Sequence, residues 1–196
     1  THTYFVCIAK MSLYIKNPSR NSSFRRFREH IKFRTEVCMK IDTKYFGEIE
    51  IDDDKIIHFE NGIMGFEEYK DFTLLYDSEA EKKPFFSWLQ CVTEKSLAFP
   101  VVNPLNVIKD YNPVVEDALL EPLGELKDED IVLLVFATIP KDVKDASVNM
   151  KAPVIVNAAN GKAIQVILEK GDYKIKHKII EDISNCLLYT SDAADE

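Results

Sequence analysis

Phe59–Tyr69, with the sequence FENGIMGFEEY, is the first segment to suggest chemistry, because two glycines stand three residues apart in it. A loop that cradles phosphate needs several glycines, exposed backbone amides at the start of a helix and usually a lysine. Here two apolar residues separate the glycines, and three carboxylates would repel phosphate: Glu60, Glu67 and Glu68. The composition of this segment, called the glycine loop below, argues against phosphate binding.

The glycine loop has instead the features of a shaped turn. Asn61-Gly62 favours a positive φ, and Gly65 allows a second bend. The turn would present three apolar side chains inside an acidic rim: Ile63, Met64 and Phe66. Two interpretations stay open, a surface that binds a protein partner and a buried turn that only shapes the fold.

Asp52, Asp53 and Asp54, with His58 nearby, are the candidates for a metal site. Consecutive acids on a turn point in different directions, and a calcium or magnesium site needs ligands at a regular spacing that is missing here. We interpret the run as a solvated turn, and we expect no metal and no cofactor.

Cys91 is the candidate nucleophile, and His58 and His177 are the candidate bases. Nucleophilic catalysis needs a base within reach and a third group that orients the base, and no local signature supplies either one. The four cysteines also lack the paired spacing of a disulfide framework or a zinc knuckle. A buried strand cysteine is the favoured interpretation, and a small hydrolase acting through Cys91 or His58 stays an alternative.

The elements that would position these residues are mostly short strands. KIDTKYFGEIEI alternates with a period of two around Gly47, which predicts strand structure. Further strand candidates are rich in β-branched and aromatic residues: KIIHF, FTLLY, FFSWLQCV, LAFPVV and IVLLVFATI.

The region from Pro113 onward predicts one helix and one hairpin. A helix is expected over Pro113–Gly124, with Gly124 as its C-cap and an early end caused by Pro122, followed by a short turn at Lys127–Asp130. In residues 152–169, two apolar runs flank Asn160-Gly161, a dipeptide that favours a type I′ hairpin turn. The pattern predicts a mainly β single domain, an antiparallel barrel-like or sandwich-like fold with one or two short helices.

The formal net charge of -8 hides a sharp boundary in composition. Residues 1–38 contain eight Lys/Arg, including all five arginines, against two acids. Residues 39–185 contain 17 lysines against 28 acids. A body of this charge repels polyanions and suits basic protein partners.

The two ends differ from the remainder of the chain. We interpret residues 1–38 as disordered upstream sequence translated in frame, with Met39 as the natural start. The tail CLLYTSDAADE, residues 186–196, resembles a translated sequencing-library adapter. The alternative for the head is a basic segment with interleaved phenylalanines, SRNSSFRRFREHIKFR, that binds nucleic acid or an anionic membrane surface.

An ordered set of segments resembles the FliW family of bacterial flagellar assembly factors. The set begins with MKIDTKYFGEIEID and KIIHFENGIMGFEEYKDFTLLY, continues through LQCVTEKSLAFPVVNPL and IVLLVFATIP, and ends with NMKAPVIVNAANGKAIQVIL. The resemblance covers Met39–Lys178 and marks residues 39–185 as a FliW-like β domain. No single motif is specific, whereas the ordered set is.

The resemblance implies a cytoplasmic, non-enzymatic protein with a β-barrel-like fold. FliW proteins bind CsrA, a small basic RNA-binding dimer that represses translation, and they also bind flagellin. Flagellin that accumulates occupies FliW and frees CsrA to repress flagellin synthesis, and export of flagellin reverses this. The chain is therefore expected to have two protein partners, CsrA and flagellin, and no direct contact with nucleic acid or membrane.

The candidate partner-binding residues lie in the glycine loop, near two strand ends and in the second hairpin. They are Glu60, Asn61, Gly62, Gly65, Phe66, Phe99, Val101, Asn103, Pro104, Pro153, Asn157 and Asn160. Phe66, Phe99, Val101 and Pro104 are expected to edge an apolar site for a flagellin helix. For the asparagines, glycines and prolines, backbone capping and turn formation are the alternative roles.

Overall fold

A computed structural model describes residues 38–76 and 84–180 of the chain. These residues form eleven strands, one short helix, α1 (Asp117–Leu120), and five 3-10 turns. The strands are β1 (Cys38–Thr43), β2 (Gly47–Asp52), β3 (Ile56–Phe59), β4 (Asp71–Leu75), β5 (Ser87–Cys91), β6 (Ala98–Val102), β7 (Ile131–Thr138), β8 (Ser147–Val148), β9 (Val154–Asn157), β10 (Lys162–Gln165) and β11 (His177–Lys178).

Seven of the strands close into a barrel. The order is β7-β6-β5-β4-β3-β10-β9, and β9 pairs back onto the first half of β7. Closure removes free edges from these strands, which is how small antiparallel folds avoid edge-to-edge pairing. The predicted mainly β, barrel-like fold is confirmed, and one pairing within it is parallel, that of β3 with β10.

The barrel interior follows from alternation along the strands, because every second side chain points inward. Inward-facing residues come from all seven strands and include Phe59, Phe72, Leu89, Cys91, Val101, Leu134, Val154 and Ala163. Most of them are completely buried. The interior is therefore a packed core and leaves no channel among these side chains.

A second cluster covers one outer face of the barrel. The segment between β6 and β7 folds over β7, β9 and β10 and buries Tyr111 and Leu123 against them. The predicted helix in this segment is much shorter than Pro113–Gly124, since α1 has one turn and passes into a 3-10 turn at Glu121–Leu123. Pro122 supplies no backbone N–H to continue an α-helix. Gly124, at φ 75°, ends the turn as predicted.

The β1–β2 hairpin packs on the opposite outer face. Its inward residues Ile41, Ile49 and Ile51 bury against Leu75 and Trp88 of the barrel. The buried Gln90 side chain ties the hairpin to the barrel by accepting a 3.0 Å hydrogen bond from the Lys44 N–H. Because this contact spans distant parts of the chain, no local pattern predicts it.

The β9–β10 hairpin is present, but the predicted two-residue type I′ turn is wrong. Lys162 pairs with Asn157, which leaves the four residues 158–161 in the loop. Asn157 closes this loop itself, because its carbonyl accepts from the Gly161 N–H at 2.9 Å and its side chain accepts from the Ala159 N–H at 3.0 Å. Gly161 still adopts a positive φ of 72°.

The expected upstream segment and adapter-like tail lie outside the described residues, apart from Cys38, which begins β1 and pairs with Asp52 of β2. Those two interpretations stay predictions. In the described part of the chain, no helix is long and apolar enough to cross a membrane.

Candidate functional site

The glycine loop leaves β3 and folds back on itself at one end of the barrel. The Gly62 N–H donates to the Phe59 carbonyl at 3.0 Å, and the Phe66 N–H donates to the Ile63 carbonyl at 2.7 Å. Ile63 enters the barrel core and is 3% exposed. The loop thus closes this end of the barrel with the buried Ile63 and holds most of the residues that follow at the surface.

Glycine is required at position 62 by a close backbone approach. Gly62 has φ 72°, and a Cβ atom there would lie 2.6 Å from the Glu67 Cα. Gly65 has φ 83°, and a Cβ atom there would have no heavy atom within 4 Å apart from its chain neighbours. Both turn glycines are therefore favoured by their positive φ. At position 62, the close backbone of Glu67 also leaves no room for a side chain.

Two side-chain contacts fix the tip of the loop. The Gly65 N–H donates to Glu67 Oε1 at 2.7 Å, and this bond is the main reason that the pKa of Glu67 lies below its ordinary value. The Met64 N–H donates to Gln165 Oε1 on β10 at 3.1 Å. The Met64 side chain is exposed, and the backbone around it is held by hydrogen bonds to Glu67 within the loop and to Gln165 of the barrel.

An aromatic row runs outward from the core at this end. Phe66 packs edge-to-face on Phe99 of β6 with ring centroids 4.9 Å apart, and Phe99 packs edge-to-face on Phe136 of β7 at 5.3 Å. Phe72, which is fully buried, lies beneath Phe99 at 6.3 Å. We call the surface formed by Met64, Phe66, Phe99 and Phe136 the aromatic mouth.

The aromatic mouth stays open because β6 and β7 separate there. The two strands pair only through Val101 and Val102, and the residue before them, Pro100, has no backbone N–H to donate. Beyond Phe136, β7 pairs only with β8, which lies along its other edge. The rings of Phe99 and Phe136 are consequently only half-buried, and Phe66 is 38% exposed.

Acidic side chains border the mouth. Glu67 and Glu68 are exposed on the loop immediately after Phe66. Burial raises the pKa of Tyr69, and the nearby carboxylates of Glu68 and Glu94 raise it further. The loop therefore combines an apolar centre with a negative rim.

The predicted site residues separate into two groups. Phe66 and Phe99 meet in the mouth, with Gly62, Gly65 and the exposed Glu60 and Asn61 in the same loop. The second group lies at the opposite end of the barrel, where β6 and β9 end, and consists of Asn103, Pro104, Asn157 and Asn160, while Val101 lies within β6 and Pro153 precedes β9. The structure thus does not bring the two groups into one surface.

Most residues of the second group stabilise the fold through hydrogen bonds or burial. Asn103 accepts from the Leu105 N–H at 3.0 Å, and Asn157 and Asn160 both donate to the Leu123 carbonyl. Asn157 and Val101 are fully buried, and the prolines Pro104 and Pro153 are also buried. Buried side chains cannot edge a docking site in this fold, so Val101 and Pro104 shape the barrel and do not line its mouth.

The residues considered for catalysis do not form a site. Cys91 points into the barrel core, whereas the exposed His58 is on the outer side of β3 and lies 2.7 Å from Asp71. The described residues contain no group of three or more His, Cys, Asp or Glu side chains placed to hold a metal ion. A depression of about 270 Å³ beside His58 is lined by Glu60, Pro122, Lys162 and Ala163 and brings no nucleophile to the histidine.

Comparison with known proteins decides the family. The sequence profile of the FliW protein family matches residues 40–179. The chain belongs to the FliW family. A flagellar assembly factor FliW from Lachnoclostridium phytofermentans is 47% identical over 147 residues, covering 75% of this chain and 94% of the relative. The FliW of Lachnospira eligens is 44% identical over 144 residues, covering 73% of this chain and 95% of the relative.

The fold agrees with the family. A crystal structure of the flagellar assembly factor FliW superposes with a TM-score of 0.65 at 36% identity, covering 72% of this chain and 96% of that one. The FliW resemblance read from the sequence is confirmed, and the chain has a role in flagellar assembly. The partner-binding role of the individual site residues stays a prediction.

Sequence reasoning missed two residues of this end of the FliW barrel. Phe136 lies within the largely apolar run IVLLVFATI, which reads as buried, yet its ring is partly exposed where the pairing of β6 with β7 ends. The sequence indicates a role for Gln90 only weakly, since it is a polar residue in an otherwise apolar strand. Such a residue, when buried, needs a hydrogen-bond partner, which here is the Lys44 N–H.

Proposed function

We propose that this FliW family member is a cytoplasmic, non-enzymatic regulator that binds two proteins, CsrA and flagellin. The observation that carries the proposal is the aromatic mouth, a partly exposed apolar surface formed by a hydrogen-bonded loop and two strands beside an acidic rim. Exposed apolar patches with polar borders are typical of protein-binding sites. Cys91, by contrast, points into the barrel core, and the exposed His58 pairs with Asp71, so these two residues do not act together as nucleophile and base.

Competition between the two ligands is sufficient for regulation. Free FliW would bind CsrA and relieve repression of flagellin synthesis, whereas accumulated flagellin would occupy FliW and release CsrA. Such a switch needs no covalent step, and only requires dissociation constants near the working concentrations of the three proteins.

An acidic face of the β1–β2 hairpin suits the basic CsrA dimer. Alternation places four carboxylates on the outward side of this two-stranded sheet: Asp42, Glu48, Glu50 and Asp52. Lys40 lies 3.6 Å from both glutamates and Lys95 lies 3.5 Å from Asp42, so two lysines offset part of this charge. Complementary charge accelerates encounter and selects partners, and a negative body beside CsrA would also repel competing RNA.

Titration calorimetry of the full chain against CsrA, with and without saturating flagellin, tests the switch. We expect binding that flagellin abolishes. Binding to CsrA that persists at saturating flagellin would exclude competition, and binding to neither protein would overturn the proposed function.

The salt dependence of the CsrA complex tests the electrostatic part separately. Raising the ionic strength from about 0.01 M to about 0.15 M shortens the Debye length from about 30 Å to about 8 Å. We expect the association rate with CsrA to fall several-fold over this range. A double substitution of Glu48 and Glu50 by Gln should reproduce part of that loss at low salt, and a rate independent of salt would exclude steering.

A further inference from the structure

We propose that this chain pairs with a second copy of itself through the aromatic mouth. The mouth of each copy would receive a short segment of the other, formed by Lys174, Ile175 and Lys176, which we call the basic knob. The inference goes beyond the proposed function, because it concerns two copies of one chain. Pairing would cover the mouth and so limit the access of any other protein to it.

The basic knob is an apolar side chain flanked by cations. Ile175 is 62% exposed, and the lysines on either side of it are exposed as well. Lys174 and Lys176 form no ion pair with any residue that the structure describes, whereas Lys178 lies 3.3 Å from Asp145. The knob therefore has two positive charges available for a partner.

The mouth has the complementary composition. Its centre is apolar and partly exposed, and its fixed negative charges lie beside Phe66, at Glu67 and Glu68. Ile175 of a second copy would meet the rings, and the lysines that flank it would meet the carboxylates. Complementary charge of this kind selects a partner and fixes its orientation.

Hydrogen bonds hold the backbone on which the knob lies. The Tyr173 ring packs edge-to-face on Tyr111 at 4.8 Å, and the Tyr111 hydroxyl donates to the Met150 carbonyl at 2.8 Å. The Met150 N–H donates in turn to the Lys174 carbonyl at 3.0 Å. The backbone that carries Ile175 is therefore ordered, and covering its side chain costs little conformational entropy.

The knob and the mouth are neighbours on one molecule. The Asn149 N–H donates to the Phe136 carbonyl at 2.9 Å, and the next residue, Met150, bonds to Lys174. Because β8 lies between β7 and β11, the knob is about two strand spacings, or about 10 Å, from Phe136. Neighbouring complementary patches allow a two-fold axis to place each knob in the opposite mouth, which gives a closed pair.

Charge excludes two other arrangements. Two mouths packed face to face would bring Glu67 and Glu68 of one copy against those of the other. An anionic membrane or a nucleic acid would meet the two lysines of the knob, but residues 39–185 contain 17 lysines against 28 acids and repel a polyanion. The mouth of a second copy supplies negative charge and apolar surface together.

Sedimentation equilibrium of the full chain tests the pairing without any other protein. We expect a monomer–dimer equilibrium whose dissociation constant rises several-fold between about 0.01 M and about 0.15 M ionic strength. Ile175→Ser and Phe66→Ala should each raise the dissociation constant at least about tenfold, because a symmetric pair loses the contact twice. Val114→Ser is the matched control, since Val114 is also β-branched and 66% exposed, and it should change nothing.

A charge exchange locates the contact. Glu68→Lys alters the rim and leaves the Glu67 bond to the Gly65 N–H in place, and a second chain carries Lys174→Glu with Lys176→Glu. Each variant alone should associate at least about tenfold more weakly than the unaltered chain. An equal mixture should associate more tightly than either variant alone, because the mixed pair regains one intact contact between an unaltered knob and an unaltered mouth.

Three outcomes would overturn the inference. The first is a monomer at every concentration up to about 1 mM at low ionic strength. The second is association that survives both Ile175→Ser and Phe66→Ala, as association caused by the arginines of residues 1–37 would. The third is binding to phosphatidylserine vesicles that Lys174→Glu with Lys176→Glu abolishes, in a chain that does not self-associate. Since the measurement contains neither CsrA nor flagellin, its failure leaves the proposed function untouched.

Discussion

Gly62 and Gly65 share a positive φ but differ in the space around them. A Cβ atom at position 62 meets backbone atoms of Glu67, and backbone cannot move aside as a flexible side chain can. At position 65 the only penalty is the left-handed conformation itself. Gly65 is therefore favoured by backbone conformation alone, whereas Gly62 is favoured by both backbone conformation and lack of space.

We predict that Gly62→Ala destabilises the fold far more than Gly65→Ala. The left-handed conformation costs a non-glycine residue about 1–2 kcal/mol, and a forced overlap adds about 1–3 kcal/mol. Gly65→Ala should therefore lower the free energy of unfolding by about 1 kcal/mol and Gly62→Ala by about 3 kcal/mol. Urea denaturation measures both values, and equal losses would contradict the close approach of Gly62 to Glu67.

Glu67 gives the loop a pH-dependent contact. Its carboxylate accepts from the Gly65 N–H, which lowers the pKa of Glu67 from the ordinary 4.5. A lowered folded-state pKa means that the stabilisation is complete above the ordinary value and is lost as the pH falls through the folded-state value.

We predict that the Gly65 amide resonance titrates with a midpoint below pH 4.5 in the folded protein. The resonance should move because protonation of Glu67 weakens the charge-assisted hydrogen bond. A pH series of ¹H–¹⁵N spectra measures the midpoint. Glu67→Gln is the control and should abolish the transition, while a midpoint above 4.5 would exclude the bond as the cause of the shift.

At the scale of elements, the contact between the β1–β2 hairpin and the barrel depends on a buried polar residue. Gln90 accepts from the Lys44 N–H, and its Nε2 lies 3.1 Å from the Leu97 carbonyl and 3.2 Å from that of Glu94. Its cross-strand neighbour Thr73 is equally buried, yet the Thr73 hydroxyl makes no hydrogen bond within the described residues. The hydrogen-bonded Gln90 side chain is therefore expected to stabilise the fold, whereas the buried Thr73 hydroxyl is expected to destabilise it.

We predict opposite effects for Gln90→Leu and Thr73→Val. Gln90→Leu leaves the part-buried Lys44 N–H without its acceptor and should cost about 2 kcal/mol, whereas Thr73→Val removes an unsatisfied hydroxyl and should stabilise by about 1 kcal/mol. Thermal and urea unfolding measure both changes. Destabilisation by Thr73→Val would mean that the hydroxyl contributes a favourable interaction.

At the scale of the whole molecule, closure of the barrel fixes which ends of the strands meet. The ends that carry Phe59, Phe99 and Phe136 gather at the mouth, and the ends that precede Asn103 and follow Val156 gather at the other end. A partner at the mouth therefore contacts segments far apart in sequence. The acidic hairpin lies on an outer wall of the same body.

We predict that removal of residues 1–37, which keeps β1 whole, changes CsrA and flagellin affinities less than about twofold. The family match begins only at residue 40, and the acidic faces and the mouth lie after that point. Calorimetry on the shortened and full chains measures both affinities. A large loss, or nucleic-acid or membrane binding that disappears with residues 1–37, would favour the alternative of a basic binding module in the head.

Several features were determined by the sequence alone because their causes are local. A period of two specifies strands, Gly62, Gly65 and Gly124 specify turns, and the ordered segments specify the FliW family. Type I′ geometry at Asn160-Gly161 failed because Asn157 offers the loop its own hydrogen bonds, and a dipeptide preference cannot outweigh them.

Only the tertiary structure decided which candidates reach the surface together. Val101 and Phe99 stand two residues apart in one strand, yet the first is buried and the second joins the mouth, because β7 covers β6 at one position and leaves it at the other. Phe136 joins them from a run that reads as interior. Exposure depends on where neighbouring strands part, and this is set by pairing between residues distant in the chain.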